Sequence, residues 1–257
     1  MDIASLVGMI MVLIGVFFGM VMKGADPVAM FTNVAALLIV IVGALGATIM
    51  AFPMPVTTSA LKAIMKVFMP GAPPDLGASI EQITTLAEKA RREGLLALEE
   101  EAKNIEDPFL RKGLQMAVDG TDPAIVKKTL LAEIKAMKDR HKEVANWHQQ
   151  VGILAPAFGI LGAVIGLIAV MGKMDDPAAM GHGIAAAFVA TFWGVFMANG
   201  MFLAWANKLK ILSNMEATQK LLVVEGVVSV QQGSSPRSVL DILNTYVPPS
   251  QRAEEAA

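Results

Sequence analysis

Pro156 is the first residue whose type and place suggest chemistry. It lies one turn inside Val151–Met171, a run of 21 residues without a charge. A proline there removes a backbone hydrogen bond, kinks the helix and leaves carbonyl oxygens that can face an ion. Gly152, Gly159, Gly162 and Gly166 strip bulk from the same run, so a neighbouring backbone can approach closely. The polar side chains inside the apolar runs are few: Ser5, Thr48, Thr191 and Asn199. A lone threonine in a membrane helix commonly bonds its own preceding carbonyl. No Asp, Glu, Lys, Arg or His falls inside those runs. Intramembrane ionisable groups are the usual proton relays, so the chain is expected to pass no protons by itself. It reads as a scaffold, or as a channel wall that needs a partner's carboxylate.

Other chemistries find no support. The chain has no cysteine, and its three histidines, His141, His148 and His182, are scattered. Neither a metal cluster nor a cofactor site is implied. Nothing assembles a nucleophile, a base and an oxyanion site, so an enzyme is not expected. A net charge of -2 gives no reason to expect nucleic acid. With 54% hydrophobic and 17% charged residues, the composition is that of a membrane protein with a substantial water-exposed part.

The elements that must position Pro156 follow from the runs. At 1.5 Å per residue, each of Ile3–Met22, Val34–Phe52, Val151–Met171 and Gly183–Ala206 is long enough to cross a hydrocarbon core of about 30 Å. The opening run lacks a basic n-region and a small-residue cleavage site, so it reads as a retained span. Thr57–Met69 reads as a short amphipathic helix with Leu61, Ile64, Met65 and Phe68 on one side. Ser79–Leu98 has a helical pattern with a solvated face. Asp107-Pro108 and Asp122-Pro123 are two helix starts, each a capping carboxylate before a proline. No breaker follows Pro123 until Gly152, which predicts one helix from Pro123 to about Met171, on the order of 70 Å long. The alternative is a hinge near Trp147. The tail carries one further amphipathic helix, broken at Gly233–Pro236, and a short helix at Val239–Leu243.

These readings predict an all-α integral membrane protein with four transmembrane helices and a helical cytoplasmic domain between the second and third. The segments are a first transmembrane hairpin (1–52), the cytoplasmic domain (53–149), a second transmembrane hairpin (150–206) and a cytoplasmic C-terminal tail (207–257). Of the 21 lysines and arginines, only Lys23 and Lys173 lie outside the central loop and the tail. That bias puts loop, tail and both termini in the cytoplasm, with Trp147 and Trp205 at the cytoplasmic interface.

In its order of parts the chain resembles the A subunits of the bacterial flagellar stator, the MotA/PomA family within the MotA/TolQ/ExbB proton-channel group. The likeness is carried by MDIASLVG, GATIMAFPM, KARREGLLALEEE, LAPAFGILGAVIGLI, ATFWGVFMANGMFLAWANKL, PRSVLDIL and PPSQR. It implies an ion-driven motor of flagellar motility in the inner membrane. Five A subunits surround two B subunits of the MotB/PomB type, whose single span supplies a titrating aspartate. The A-subunit loop meets the switch-ring protein of the rotor through charged side chains. Residue by residue, Arg91 and Glu99 match the rotor-binding positions, Glu133 a further functional acidic position and Pro156 the third-span proline. A second family proline, in the fourth span, aligns with Ala204. Sodium-driven members carry threonine at the position of Ala163 and a Thr-Thr pair at Ala190-Thr191, so two of three hydroxyls are missing here. The transported ion is therefore expected to be the proton, with sodium as the alternative. A related class, the ExbB/TolQ energisers of outer-membrane processes, usually has three spans and a periplasmic N-terminus. The two-plus-two layout and REGLLALE argue against it.

Overall fold

The computed structural model describes residues 2–172 and 175–248. Lys173 and residues 249–252 of the PPSQR motif lie outside the described residues. The described secondary structure is helical throughout, and four helices, Ile3–Met22, Val34–Ala51, Pro123–Met171 and Pro177–Gln231, are long and apolar enough to span a membrane. Four helix starts share one device. Asp26, Asp107, Asp122 and Asp176 each accept a backbone N–H from the first turn, and each stands before a proline that occupies the first helical position.

The chain divides into two compact units. One holds the residues up to Gly71 together with His141–Ile211, and the other holds Ala72–Arg140 together with the residues from Leu212 on. Of the four segments expected from sequence, the central loop contributes to both, because Ala60, Ala63 and Val67 pack into the same core as the spans. The tail contributes Val239 and Leu243 to the core of the second unit.

In the span unit, α1 (Ile3–Met22) is followed by α2 (Pro27–Thr32). The second span is α3 (Val34–Leu37), a π-helical turn (Leu38–Val42) and α4 (Gly43–Ala51). Helix α5 (Met54–Phe68) comes next. Here the expected face is only half right. Thr57, Ala60, Ala63 and Val67 are buried, whereas Leu61 and Met65 are exposed. The small side chains let α5 lie close to its neighbours, Ile64 and Phe68 pack at the edge of the core, and Leu61 and Met65 turn outward.

Helix α9 (Pro123–Met171) is one unbroken helix with Pro156 inside it, so no hinge forms at Trp147. The fourth span begins as α10 (Pro177–Met197), passes through a second π-helical turn (Ala198–Phe202) and continues as α11 (Leu203–Gln231). The aromatic-belt placement does not hold for Trp147 and Trp205. They are 1% and 8% exposed and pack inside the protein against His148 and Phe202. Hydropathy alone does not separate a ring at a lipid interface from a ring in a core.

The second unit contains α6 (Leu76–Glu93), a short turn at Leu95–Ala97, α7 (Leu98–Asn104), α8 (Pro108–Val118) and α12 (Pro236–Asn244). Its core includes Ile80, Ile83, Leu110, Leu130, Leu222 and Leu243, with α12 packed on α6. The helix expected over Ser79–Leu98 is broken at Gly94, whose φ of 87° lies where side chains are strained. Arg91 therefore ends one helix and Glu99 begins another.

Candidate ion-path and contact sites

Within the span unit, α9 and α10 meet almost backbone to backbone. A Cβ on Gly194 would stand 2.6 Å from the Ala155 carbonyl oxygen and 3.1 Å from the Cα atoms of Pro156 and Gly159. One on Gly159 would stand 3.0 Å from the Ala190 carbonyl and 3.3 Å from Thr191 Cα. One on Gly162 would stand 2.8 Å from Ala190 Cβ. The glycine stripe read from the sequence is therefore the surface that receives the fourth span, with Pro156 against Gly194 and, one turn on, Gly159 against Ala190 and Thr191.

Proline 156 has no N–H, so the carbonyl of Gly152 loses its helical partner. That oxygen is the local polar feature the kink creates. Thr191 donates to the Ala187 carbonyl at 3.5 Å, the long limit of a hydrogen bond, so its hydroxyl is weakly held. Thr48, by contrast, is fully buried and donates to Ala44 at 2.8 Å. Thr191 and Asn199 are the polar side chains of an otherwise apolar groove of about 580 Å³, bordered by Val12, Val16, Phe188 and Val195. Ala163 is half-buried on α9, and Ala204 is exposed, two residues beyond the π-helical turn.

That turn is a feature the sequence reading missed. A π-helical turn shifts the bonding from i→i+4 to i→i+5, and single turns of this kind often bend helices. Where Ala204 supplies no proline, Ala198–Phe202 supplies an irregularity of its own. Hydropathy periodicity carries no signal for it. His148 was also missed. It precedes the third span by three residues, is 0% exposed and places Nε2 3.0 Å from the Ala60 carbonyl.

The start of the chain is fastened by Asp2. Its carboxylate caps α1 through the Ser5 N–H and pairs with Lys208 Nζ at 2.7 Å, while its own N–H donates to the Phe68 carbonyl. The Lys208 hydrogen bond, helped by Ser5, holds the Asp2 carboxyl at about 2, below its usual 3.8.

In the second unit, Arg91 and Glu99 are both exposed and flank the Gly94 turn. Glu99 pairs with Lys103 one turn on, at 3.0 Å. Lys89 of α6 and Glu101 of α7 pair at 2.7 Å, which raises the Lys89 pKa. Glu133 is half-buried and pairs with Lys112 at 2.6 Å, so it braces α9 against α8.

Residues 101–220 match the model of the MotA/TolQ/ExbB proton channel family. Motility protein A of Bacillus subtilis (strain 168) is 39% identical over 260 residues, covering 100% of this chain and 94% of that protein. Chemotaxis protein PomA of Vibrio alginolyticus is 35% identical, covering 99% of both. Among solved structures, a chain of the flagellar MotAB stator complex from Bacillus subtilis superposes with a TM-score of 0.91 at 38% identity. It covers 99% of this chain and 100% of that one.

Proposed function

Since the chain belongs to the MotA/TolQ/ExbB proton channel family, with full-length motility A proteins as relatives, we propose that it is the A subunit of a flagellar stator. It assembles in several copies around a MotB-type partner and converts ion flow into torque. The chain of the MotAB stator complex from Bacillus subtilis matches essentially the whole of this chain, which supports that assembly. The distribution of lysine and arginine supports an inner-membrane location with both termini in the cytoplasm.

The observation that carries the mechanism is the close seam between α9 and α10 at Pro156, set in spans that hold no carboxylate. The wall is shaped and the titrating group comes from the partner. When the partner's carboxylate takes up and releases an ion, the response available to this chain is a change at the kink in α9. Arg91 and Glu99 carry that motion to the rotor through charge.

The ion is the proton. Sodium must shed water, and it then needs several oxygen ligands in compensation. This chain offers Thr191, with alanines at 163 and 190. A proton needs a carboxylate and hydrogen-bonded water. The test is torque at fixed proton-motive force with sodium replaced by potassium. Unchanged speed, falling with a protonophore, is expected; speed that follows sodium and vanishes without it would overturn the assignment.

A further inference from the structure

Among the described residues of the span unit, three side-chain polar atoms are buried without a protein partner: Thr57 Oγ1, Trp147 Nε1 and His148 Nδ1. Their residues are 3%, 1% and 0% exposed. They also lie in one neighbourhood. The His148 ring reaches the Ala60 carbonyl, and Thr57 sits one turn before Ala60 on the same buried face of α5. Trp147 and His148 are successive on α9, with ring centroids 5.2 Å apart and nearly perpendicular. Phe202 and Trp205 close the imidazole from another side, at 6.1 and 6.2 Å.

The hydrogen-bonding roles are complementary. A carbonyl only accepts, so His148 carries its proton on Nε2 and donates it to Ala60. Nδ1 is then a bare acceptor. Thr57 Oγ1–H and Trp147 Nε1–H are donors. Buried polar groups in folded proteins are paired almost without exception, and where protein partners are lacking the partner is water. An apolar occupant would leave all three groups unsatisfied, and a charged one would find no counter-charge among them.

We propose that α5, α9 and the second π-helical turn enclose an internal water site, of one or two molecules, that donates to His148 Nδ1 and accepts from Thr57 and Trp147. The water ties α5 to α9 just below the third span and fixes the His148 tautomer. Burial also pushes the His148 pKa down, to about 4, which keeps the ring neutral and Nδ1 available as an acceptor. This inference is independent of the stator reading, because it concerns packing within one chain.

Thr57→Val decides the matter by its sign. Removing an orphaned hydroxyl relieves a desolvated donor and raises the thermal midpoint of the purified complex. Removing one that binds water leaves the water short of a donor and lowers it. We expect a fall of about 2–4 °C, with Thr57→Ser near wild type. The fall should shrink by half or more in a His148→Phe background, where the acceptor is already gone. Nitrogen-15 spectra of the histidine-labelled complex in lipid give a second readout on the unsubstituted protein. His148, identified by loss of its signal in His148→Phe, should show Nδ1 as a hydrogen-bonded acceptor with a cross-peak to water. A higher midpoint in Thr57→Val, full additivity of the two substitutions, or a bare Nδ1 without a water cross-peak would each overturn the site.

Discussion

Gly194 has the least room against backbone of the glycines at the α9–α10 seam. The atoms a Cβ would strike are the Ala155 carbonyl oxygen and the Cα atoms of Pro156 and Gly159, all backbone, so none can swing aside. Gly43 makes a useful comparison, because there the obstacle is the Phe158 ring, a side chain that can rotate. Gly194→Ala should therefore abolish motility and lower the thermal midpoint of the complex, while Gly43→Ala should cost much less. Equal effects would show that the seam tolerates separation. Asp2 gives a prediction of a different kind. Its carboxyl is depressed when folded, so its contribution is complete above about 3.8 and is lost as pH falls toward about 2. Asp2→Asn should lower the midpoint at neutral pH and flatten its decline across that acid window. Thermal unfolding of both proteins from pH 5 to pH 2 measures this. At this scale the glycine stripe was legible, since spacing and residue size are written in the chain. The Asp2–Lys208 pair was not, because nothing local relates residues 206 positions apart.

Among elements, α9 and the Gly94 break show what pattern can and cannot say. The unbroken course of α9 was readable because its start is capped by Asp122-Pro123 and no second breaker precedes the glycine stripe. The break in REGLLALE was not, because the apolar period continues across it while the backbone does not. At Gly94, with φ of 87° and ψ of 164°, a side chain costs about 1–3 kcal/mol. Gly94→Ala should either pay that strain or extend α6, and both displace Arg91 relative to Glu99. We expect normal membrane levels with reduced torque; swimming at wild-type speed would show that the turn is not needed. Pro156→Ala acts on α9 itself. It restores the N–H that Gly152 lacks as a partner and straightens the helix. Assembly should survive and torque should fall sharply, as measured by tethered-cell rotation against complex abundance. Wild-type torque would mean that the proline is merely tolerated. The two π-helical turns lay beyond sequence pattern, since one extra residue within a turn leaves hydropathy almost unchanged.

For the whole molecule, the question is how exposed charge in one unit answers to ion flow through the spans of several copies. The surface pairs seen within the chain are weak: an exposed ion pair is worth about 0–1 kcal/mol. Glu99 is held by Lys103 at 3.0 Å with both side chains more than half exposed, so a rotor cation can displace that lysine at little cost. Arg91 makes no ion pair among the described residues and can meet a rotor carboxylate directly. Glu133 differs, because its 2.6 Å contact with Lys112 links α9 to α8 across the surface of the unit, and its loss acts on how those helices are held. Neutralising Arg91 or Glu99 alone should consequently be mild, since each removes one weak, screened contact. Reversing both, as Arg91→Glu with Glu99→Lys, turns attraction into repulsion on either side of the Gly94 turn and should abolish torque while leaving the complex in the membrane. Charge reversal at the facing positions of the rotor should restore rotation. Glu133→Gln should instead lower stability, and no change in the rotor should rescue it. Full motility of the double reversal against an unchanged rotor would sink the electrostatic contact, and rescue of Glu133→Gln by a rotor charge would move Glu133 from brace to contact.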